Sequence, residues 1–223
     1  MSKILNNIDN GFRVFTIGKK KSSLSLIRGY SNFEYIQKRV VDYLMVSLFV
    51  LLLWPIFLYS IYRIKKESKG AILFKQSRVG LDGKPFTCYK FRSMHTNSHF
   101  DPYTKDNDSR IFPYGQIMRK LRIDELAQLL NVIKGDMHIV DPRAEWDILV
   151  SKYEKIIPDY RSRHKVKPGI TGLAQTKYPY GRNAYDARRK LGYDLLYIKK
   201  WSIFLEIKVL FETILVVVKK SGV

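Results

Sequence analysis

From Tyr43 to Tyr62 the chain runs without a charged residue and is dense in Leu, Val, Ile and Phe. A helix of that length reaches across the hydrocarbon core of a bilayer. Tyr43, Trp54, Tyr59 and Tyr62 are rings of the kind that anchor at a membrane interface. The competing reading is a buried core helix, which so long an apolar run disfavours. Lys38 and Arg39 precede the run; Arg63, Lys65 and Lys66 follow it. Positively charged flanks stay in the cytosol, so both ends belong on one side, which a straight span does not allow. Pro55 lies near the middle, where it removes a backbone hydrogen bond and crowds the preceding turn. The pattern therefore predicts a kinked, re-entrant helix over 38–66, with Ser47 or water satisfying freed backbone groups.

The rest of the pattern is mixed. Residues 1–37 are polar, include Lys19, Lys20 and Lys21, and lack the apolar core and cleavage site of a secretory signal. They read as a partly ordered arm. Ala71–Phe74 and Phe86–Phe91 read as short strands around a tight turn at Asp82-Gly83. A polar, turn-rich loop follows over 95–113. Ile123, Leu126, Leu129, Leu130 and Ile133 recur at helical spacing, predicting one amphipathic helix from Leu121 to a stop at Gly135. The apolar stretch Trp201–Val218 carries Glu206, Lys208 and Glu212, which argues against a second span. It reads as an interfacial or core-packed helix, with Tyr197, Trp201 and Phe204 near the membrane surface and Lys219 and Lys220 suited to anionic lipid. The expected class is α+β: a small cytosolic mixed domain, 67–223, on an N-terminal re-entrant membrane helix, with interfacial amphipathic helices.

Charge sharpens this picture. The chain has 40 Lys+Arg against 20 Asp+Glu, a formal +20 over 223 residues. Such an excess calls for an anionic partner, whether nucleic acid, anionic lipid or a phosphorylated substrate. Nucleic acid would leave the apolar run without a purpose, so it is set aside. The single cysteine, Cys88, excludes an internal disulfide, and scattered histidines disfavour a zinc site.

The candidate chemistry lies at Asp124-Glu125, an adjacent carboxylate pair just after Arg119, Lys120 and Arg122. Carboxylates beside cations at a helix start could hold a metal or attack a phosphorus. The plainer alternative is that Asp124 caps the helix and Glu125 favours its dipole. Arg78, Lys90 and Arg92 are candidate contacts to phosphate or lipid headgroups, or else solvated strand edges. Pro142 fixes a turn at which Arg143 could present its guanidinium fork to a phosphate. The loop from Lys165 to Gln175 carries Gly169 and Gly172, where backbone can approach a ligand closely. It lacks the Gly-Lys-Ser/Thr ending of a P-loop.

Taken in order, several segments resemble the monotopic polyprenyl-phosphate phosphoglycosyl transferases of bacteria. They are the basic-flanked apolar run with its proline, Gln76-x-Arg78-x-Gly80-x-x-Gly83, Tyr89-Lys-Phe-Arg-Ser-Met94, Asp124-Glu-Leu-x-Gln128-Leu-x-Asn131, Pro142-Arg143, Lys167-Pro-Gly-Ile-Thr-Gly-Leu-Ala-Gln175, and Asp194-Leu-x-Tyr197-x-x-x-Trp201-Ser202. The resemblance covers Gln37 to the C-terminus. It implies that Asp124 attacks the β-phosphorus of a UDP-sugar, that UMP leaves, and that the sugar-phosphate passes to polyprenyl (undecaprenyl) phosphate. It further implies Glu125 as metal ligand or base, Mg²⁺ held by Asp124 and Glu125, and Arg119 and Arg143 as phosphate-binding arginines. With Arg78, Lys90, Arg92 and Gln175 these make up the candidate phosphate- and substrate-binding set. The location implied is the cytosolic face of a bacterial inner membrane, with anionic lipids as partners and homo-oligomerisation left open. The chain departs from the family pattern at Asp141 and Ala144, where Gly-Pro-Arg-Pro is usual, at Trp54, where Ser is frequent before the proline, and at His138, where Ser is common. Asp141 would set a negative charge beside a phosphate site. These departures keep a second reading open, a catalytically weakened, membrane-tethered binding or scaffold homologue.

Overall fold

The computed structural model describes residues 27–96, 108–178 and 183–218. One helix dominates it: α1, Asn32–Glu67, whose 36 residues are about 54 Å of helix at 1.5 Å per residue. It starts upstream of the basic flank because Ser31 and Glu34 form a reciprocal capping box. Helical structure continues through Pro55. A single stripe faces the rest of the protein: Lys38, Asp42, Val46, Phe49, Leu53, Phe57, Ser60 and Ile64 are buried or half-buried. Steps of three and four residues keep that stripe on one face. On the other faces Leu44, Leu51, Leu52, Trp54 and Leu58 stand exposed.

Both ends of α1 are bonded to the same body. Near its start, Arg39 donates to the Val132 carbonyl at 3.0 Å, and Asp42 accepts from the Ile139 amide at 2.8 Å. Near its end, Ser60 and Tyr114 share a 2.8 Å hydroxyl hydrogen bond, and Glu67 accepts from the Tyr114 amide at 2.8 Å.

A hairpin is present as β1 (Leu73–Val79) and β2 (Pro85–Phe91), antiparallel from Leu73 opposite Phe91 to Val79 opposite Pro85; its first strand starts later and runs five residues past the expected end at Phe74. Its turn uses left-handed backbone at Asp82 and Gly83, as the Asp-Gly pair suggested. Next come α2 (Pro113–Lys120), a 3₁₀ segment (Ile123–Gln128), and α3 (Leu129–Lys134). Then follow β3 (His138–Val140), α4 (Asp147–Ile156) and a second 3₁₀ segment (Tyr160–Lys165). The order closes with β4 (Gly169–Thr171), α5 (Leu173–Lys177), α6 (Ala184–Lys199) and α7 (Ile203–Val218). β3 and β4 pair in parallel, His138 opposite Gly169 and Val140 opposite Thr171. The mixed α+β class is thus observed.

The amphipathic helix expected over Leu121–Gly135 is replaced by two pieces, the 3₁₀ segment and α3. Arg122 has left-handed backbone (φ 55°), which ends the α2 approach and starts the 3₁₀ segment. Only from Leu129 does α-helix resume, stopping at left-handed Gly135. Of the residues at that spacing only Leu129 enters the core, with Val132, Val46, Ile139, Tyr197 and Val209; Ile123 and Leu126 are half-buried, and Leu130 and Ile133 are exposed. Asn131, fully buried, fastens α3 to the hairpin by accepting from the Tyr89 amide (3.0 Å) and donating to the Thr87 carbonyl (2.7 Å).

The C-terminal apolar stretch is helical and splits its charges. Glu206 is fully buried, as is Tyr197, which therefore does not reach a membrane surface. Phe204 is 86% exposed. Lys219 and Lys220, and the Lys19–Lys21 run, lie outside the described residues.

Candidate active site

Asp124 and Glu125 sit on the 3₁₀ segment immediately after left-handed Arg122, and both are buried. A non-glycine residue with positive φ costs on the order of 1 kcal/mol and marks a turn held by its surroundings. No side chain caps this segment. The capping role considered for Asp124 is therefore not what places it.

The two carboxylates differ in their partners. Arg143 grips Glu125 with two bonds, 2.6 Å to Oε1 and 3.3 Å to Oε2. Lys90 and Arg122 also approach Glu125 Oε1, at 3.4 and 3.6 Å. Asp124 has only Lys90 within ion-pair reach among the described residues, at 3.8 Å. Burial pushes Asp124 above the usual carboxylate range, with Lys90 pulling the other way and Glu125 adding to the rise. Burial also works to raise Glu125, but Arg143 and then Lys90 outweigh it and hold Glu125 well below its ordinary value. Adjacent carboxylates driven apart in this way commonly divide chemical roles.

Around the pair lies a polar cavity of about 340 Å³ whose walls include Lys90, Arg119, Arg122, Arg143, Arg163 and Lys190. The pair itself and Glu145 supply its carboxylates, and Tyr153, Tyr160 and Leu149 give part of the wall an aromatic and apolar character. Such a cationic cavity suits a multiply charged anion. A second, apolar groove of about 460 Å³ runs between α1 (Met45, Phe49, Leu53), the 121–129 segment and α7 (Leu210, Ile214, Val217). Arg122, Glu125 and Gln175 belong to the walls of both.

Of the residues singled out from sequence, Asp124, Glu125, Lys90, Arg119, Arg143 and Gln175 converge on the polar cavity. Gln175 donates to the Ile170 carbonyl at 2.9 Å, while its buried Oε1 has no partner among the described residues. Two residues are placed differently. Arg92 is buried and donates to the carbonyls of Ser68 (2.5 Å) and Lys69 (2.7 Å), closing the end of α1, and it does not line the cavity. Arg78 donates to the Ala144 carbonyl at 3.1 Å and to Gln76, supporting the loop behind Arg143. Both fit the fork geometry of guanidinium, which sequence cannot assign between carbonyl and phosphate partners.

Asp141 does not face the phosphate side. It is fully buried, accepts from the Tyr30 hydroxyl at 2.5 Å, and lies 3.2 Å from Lys38 of α1. His138 is likewise turned to α1, with Nδ1 2.5 Å from Asp42. Sequence reasoning missed Arg163, which donates to the Arg143 carbonyl at 3.0 Å and pairs with Asp194 at 2.8 Å. Asp194 stood inside one of the matching motifs, the only signal that could have led there.

No cluster of three or more metal-ligating side chains occurs among the described residues. The donor set nonetheless fits Mg²⁺, which takes one or two carboxylates and completes its shell with water and phosphate oxygens. Asp124, lightly partnered, suits that arrangement; Glu125 must share its oxygens with Arg143.

The chain is similar to known proteins along most of its length. A family model described as bacterial sugar transferase matches residues 33–220. The chain is 41% identical over 187 residues to a UDP-N-acetylgalactosamine-undecaprenyl-phosphate N-acetylgalactosaminephosphotransferase of Aeromonas hydrophila, covering 83% of this chain and 44% of that protein. It is 40% identical over 181 residues to a UDP-glucose:undecaprenyl-phosphate glucose-1-phosphate transferase of Klebsiella pneumoniae, covering 79% of this chain and 39% of that protein. The chain thus spans about two fifths of these two relatives. An uncharacterized sugar transferase of Bacillus subtilis, EpsL, is 40% identical over 190 residues and 90% covered. With the match running through α1, the carboxylate pair and α7, this chain belongs to the bacterial sugar transferase family.

Proposed function

We propose that this chain transfers a sugar-1-phosphate from a UDP-sugar to polyprenyl (undecaprenyl) phosphate at the cytosolic face of a bacterial inner membrane. The observation that carries the reading is the meeting of a cationic cavity and an apolar groove at Arg122, Glu125 and Gln175. One suits a nucleotide-sugar diphosphate and the other an isoprenoid chain, and the names of the relatives pair those two substrate classes.

In the reaction, Asp124 forms a bond to the β-phosphorus of the UDP-sugar while the α–β bridging P–O bond breaks. UMP leaves with that electron pair, and a sugar-phosphate ester remains on Asp124. A phosphate oxygen of the polyprenyl phosphate then attacks the same phosphorus, and the Asp124 carboxylate departs. Asp124 is the better nucleophile of the pair because it lacks the bidentate grip that occupies Glu125. Lys90, Arg119 and Arg143 neutralise charge on the transferring group, the main task in phosphoryl transfer. Mg²⁺, when bound by Asp124 and Glu125 with the diphosphate, would supply further charge neutralisation. The proposed membrane arrangement draws support from α1: its outer faces are apolar, and both ends are bonded to one body, which suits entry and exit on the same side.

The scaffold reading draws its support from Asp141 and Ala144. Buried against Tyr30 and Lys38, Asp141 leaves the cavity's positive character intact.

The test is a panel of UDP-sugars offered to the full chain in nanodiscs containing undecaprenyl phosphate. Chelator-sensitive release of UMP and an acid-extractable lipid product are expected, with a mass increment on the peptide bearing Asp124 when the lipid acceptor is omitted. A folded preparation that releases UMP from none of them refutes the proposal.

A further inference from the structure

Lys38 lies at the centre of a fully buried ionic cluster that the proposed chemistry does not use. Its ammonium donates to the Val140 carbonyl (2.8 Å), to Glu206 (2.9 and 3.2 Å) and to the Tyr197 hydroxyl (3.2 Å). Asp141 Oδ2 is 3.2 Å away. The rings of Tyr30, Tyr197 and Trp201 surround the ammonium at 5.1–5.5 Å. Glu206 is fully satisfied by Lys38, Tyr197 (2.5 Å) and Trp201 (2.6 Å). Among the described residues, Asp141 depends on Tyr30, from the segment preceding α1, for its one well-formed side-chain hydrogen bond.

What makes the cluster consequential is where Asp141 stands. Four consecutive residues, His138 to Asp141, are bonded to α1 or the segment before it: His138 and Ile139 to Asp42, Val140 to Lys38, Asp141 to Tyr30 and Lys38. Two residues later, Arg143 grips Glu125. Extended backbone advances only about 3.3 Å per residue, so Asp141 and the root of Arg143 lie within about 7 Å. The Asp141 backbone has little room to drift. A Cβ on Gly169 would stand 2.1 Å from its amide nitrogen, and one on Gly172 would stand 2.4 Å from its carbonyl oxygen.

We propose that Asp141 is a positioning residue: held by Tyr30 and Lys38, it carries the docking of the membrane helix through to the placement of Arg143 on Glu125. Arg143 is then correctly seated only when the start of α1 is docked. The activity part of this inference rests on the transfer reaction proposed above; the coupling itself does not.

Two measurements separate them. In hydrogen exchange on the full chain in nanodiscs, Tyr30→Phe and Asp141→Ala should speed exchange both at the start of α1 and over residues 143–145. Asp141→Asn, which retains an acceptor for Tyr30, should stay near wild type. Ser60→Ala, which cuts a docking bond at the far end of α1, should leave residues 143–145 unchanged. In UMP release, Tyr30→Phe and Asp141→Ala should lose about tenfold to a hundredfold in kcat/KM, the scale of a misplaced catalytic group. Asp141→Asn and Ser60→Ala should not. Unchanged exchange over 143–145 in both Tyr30→Phe and Asp141→Ala overturns the coupling, as does an equal effect from Ser60→Ala. If wild type releases no UMP while the exchange pattern is as expected, the transfer reading fails and the coupling stands.

Discussion

Asp124 and Glu125 are neighbours on the chain with unlike surroundings, and substitutions should separate them. Asp124→Asn keeps size and removes the proposed nucleophile, so transfer should fall to background while the melting temperature stays close to wild type. Wild-type turnover from a verified Asp124→Asn preparation would remove Asp124 from the mechanism. Arg143→Ala leaves Glu125 buried without its bidentate partner, and kcat should drop about 10²–10³-fold, the cost of losing one preorganised donor. Asp141 gives a pH test. Burial, reinforced by nearby Glu206 and opposed by Lys38, pushes its carboxyl up to about 8. An unfolded Asp titrates near about 3.9, so between those values the folded protein holds a proton that the unfolded chain releases. The stability contributed by that proton is full below about pH 4 and is lost as pH rises through about 8. Asp141→Asn should therefore lose less melting temperature than wild type between pH 6 and 8.5. Equal losses in both would show that Asp141 is ionised throughout.

At the level of elements, the end of α1 is closed by Arg92, not by a phosphate contact. Arg92→Met would strip two carbonyls, Ser68 and Lys69, of a buried charged donor. A loss of about 1.5–3 kcal/mol is expected, visible as a lower melting temperature with KM for the nucleotide sugar unchanged. A rise in KM without loss of stability would return Arg92 to the substrate. The 3₁₀ segment after Arg122 shows the same lesson from the other side. Apolar spacing over 123–133 gave the buried face only in part: Leu129 turns inward, but Leu130 and Ile133 stand exposed, and Val132, outside that spacing, is buried. The backbone break at Arg122 left no mark in that pattern, since arginine is an unremarkable residue until its φ is seen.

For the whole molecule, the arrangement to test is that the residues before and after α1 share one side of the membrane. Arg28 has an exposed side chain, and Lys69 lies just beyond the end of α1. Cys88 is buried and is the only thiol, so Cys88→Ser gives a clean background. Single cysteines at 28 and 69 should both resist a membrane-impermeant thiol reagent in intact cells and react after lysis. Labelling at 28 alone in intact cells would mean that α1 spans.

Much of the site could be read from the chain because its chemistry is local. An adjacent carboxylate pair, a proline-fixed arginine and an uncharged apolar run are all visible in short windows, and the hairpin turn follows from Asp82-Gly83. Four features were decided only by the tertiary structure. Arg92 and Arg143 are the same side chain in sequence, and only packing sends one to helix carbonyls and the other to Glu125. The partners of Asp141 are 111 and 103 positions away, so no window of sequence contains them. β3 and β4 are three-residue strands that exist only as a parallel pair across intervening helices. And α1, readable as a membrane element from its own composition, shows its inward stripe of Lys38, Asp42, Ser60 and Ile64 only once there is a body for it to face. A buried charge gains stability from its partner rather than from its place in the chain, and partners are assembled by folding.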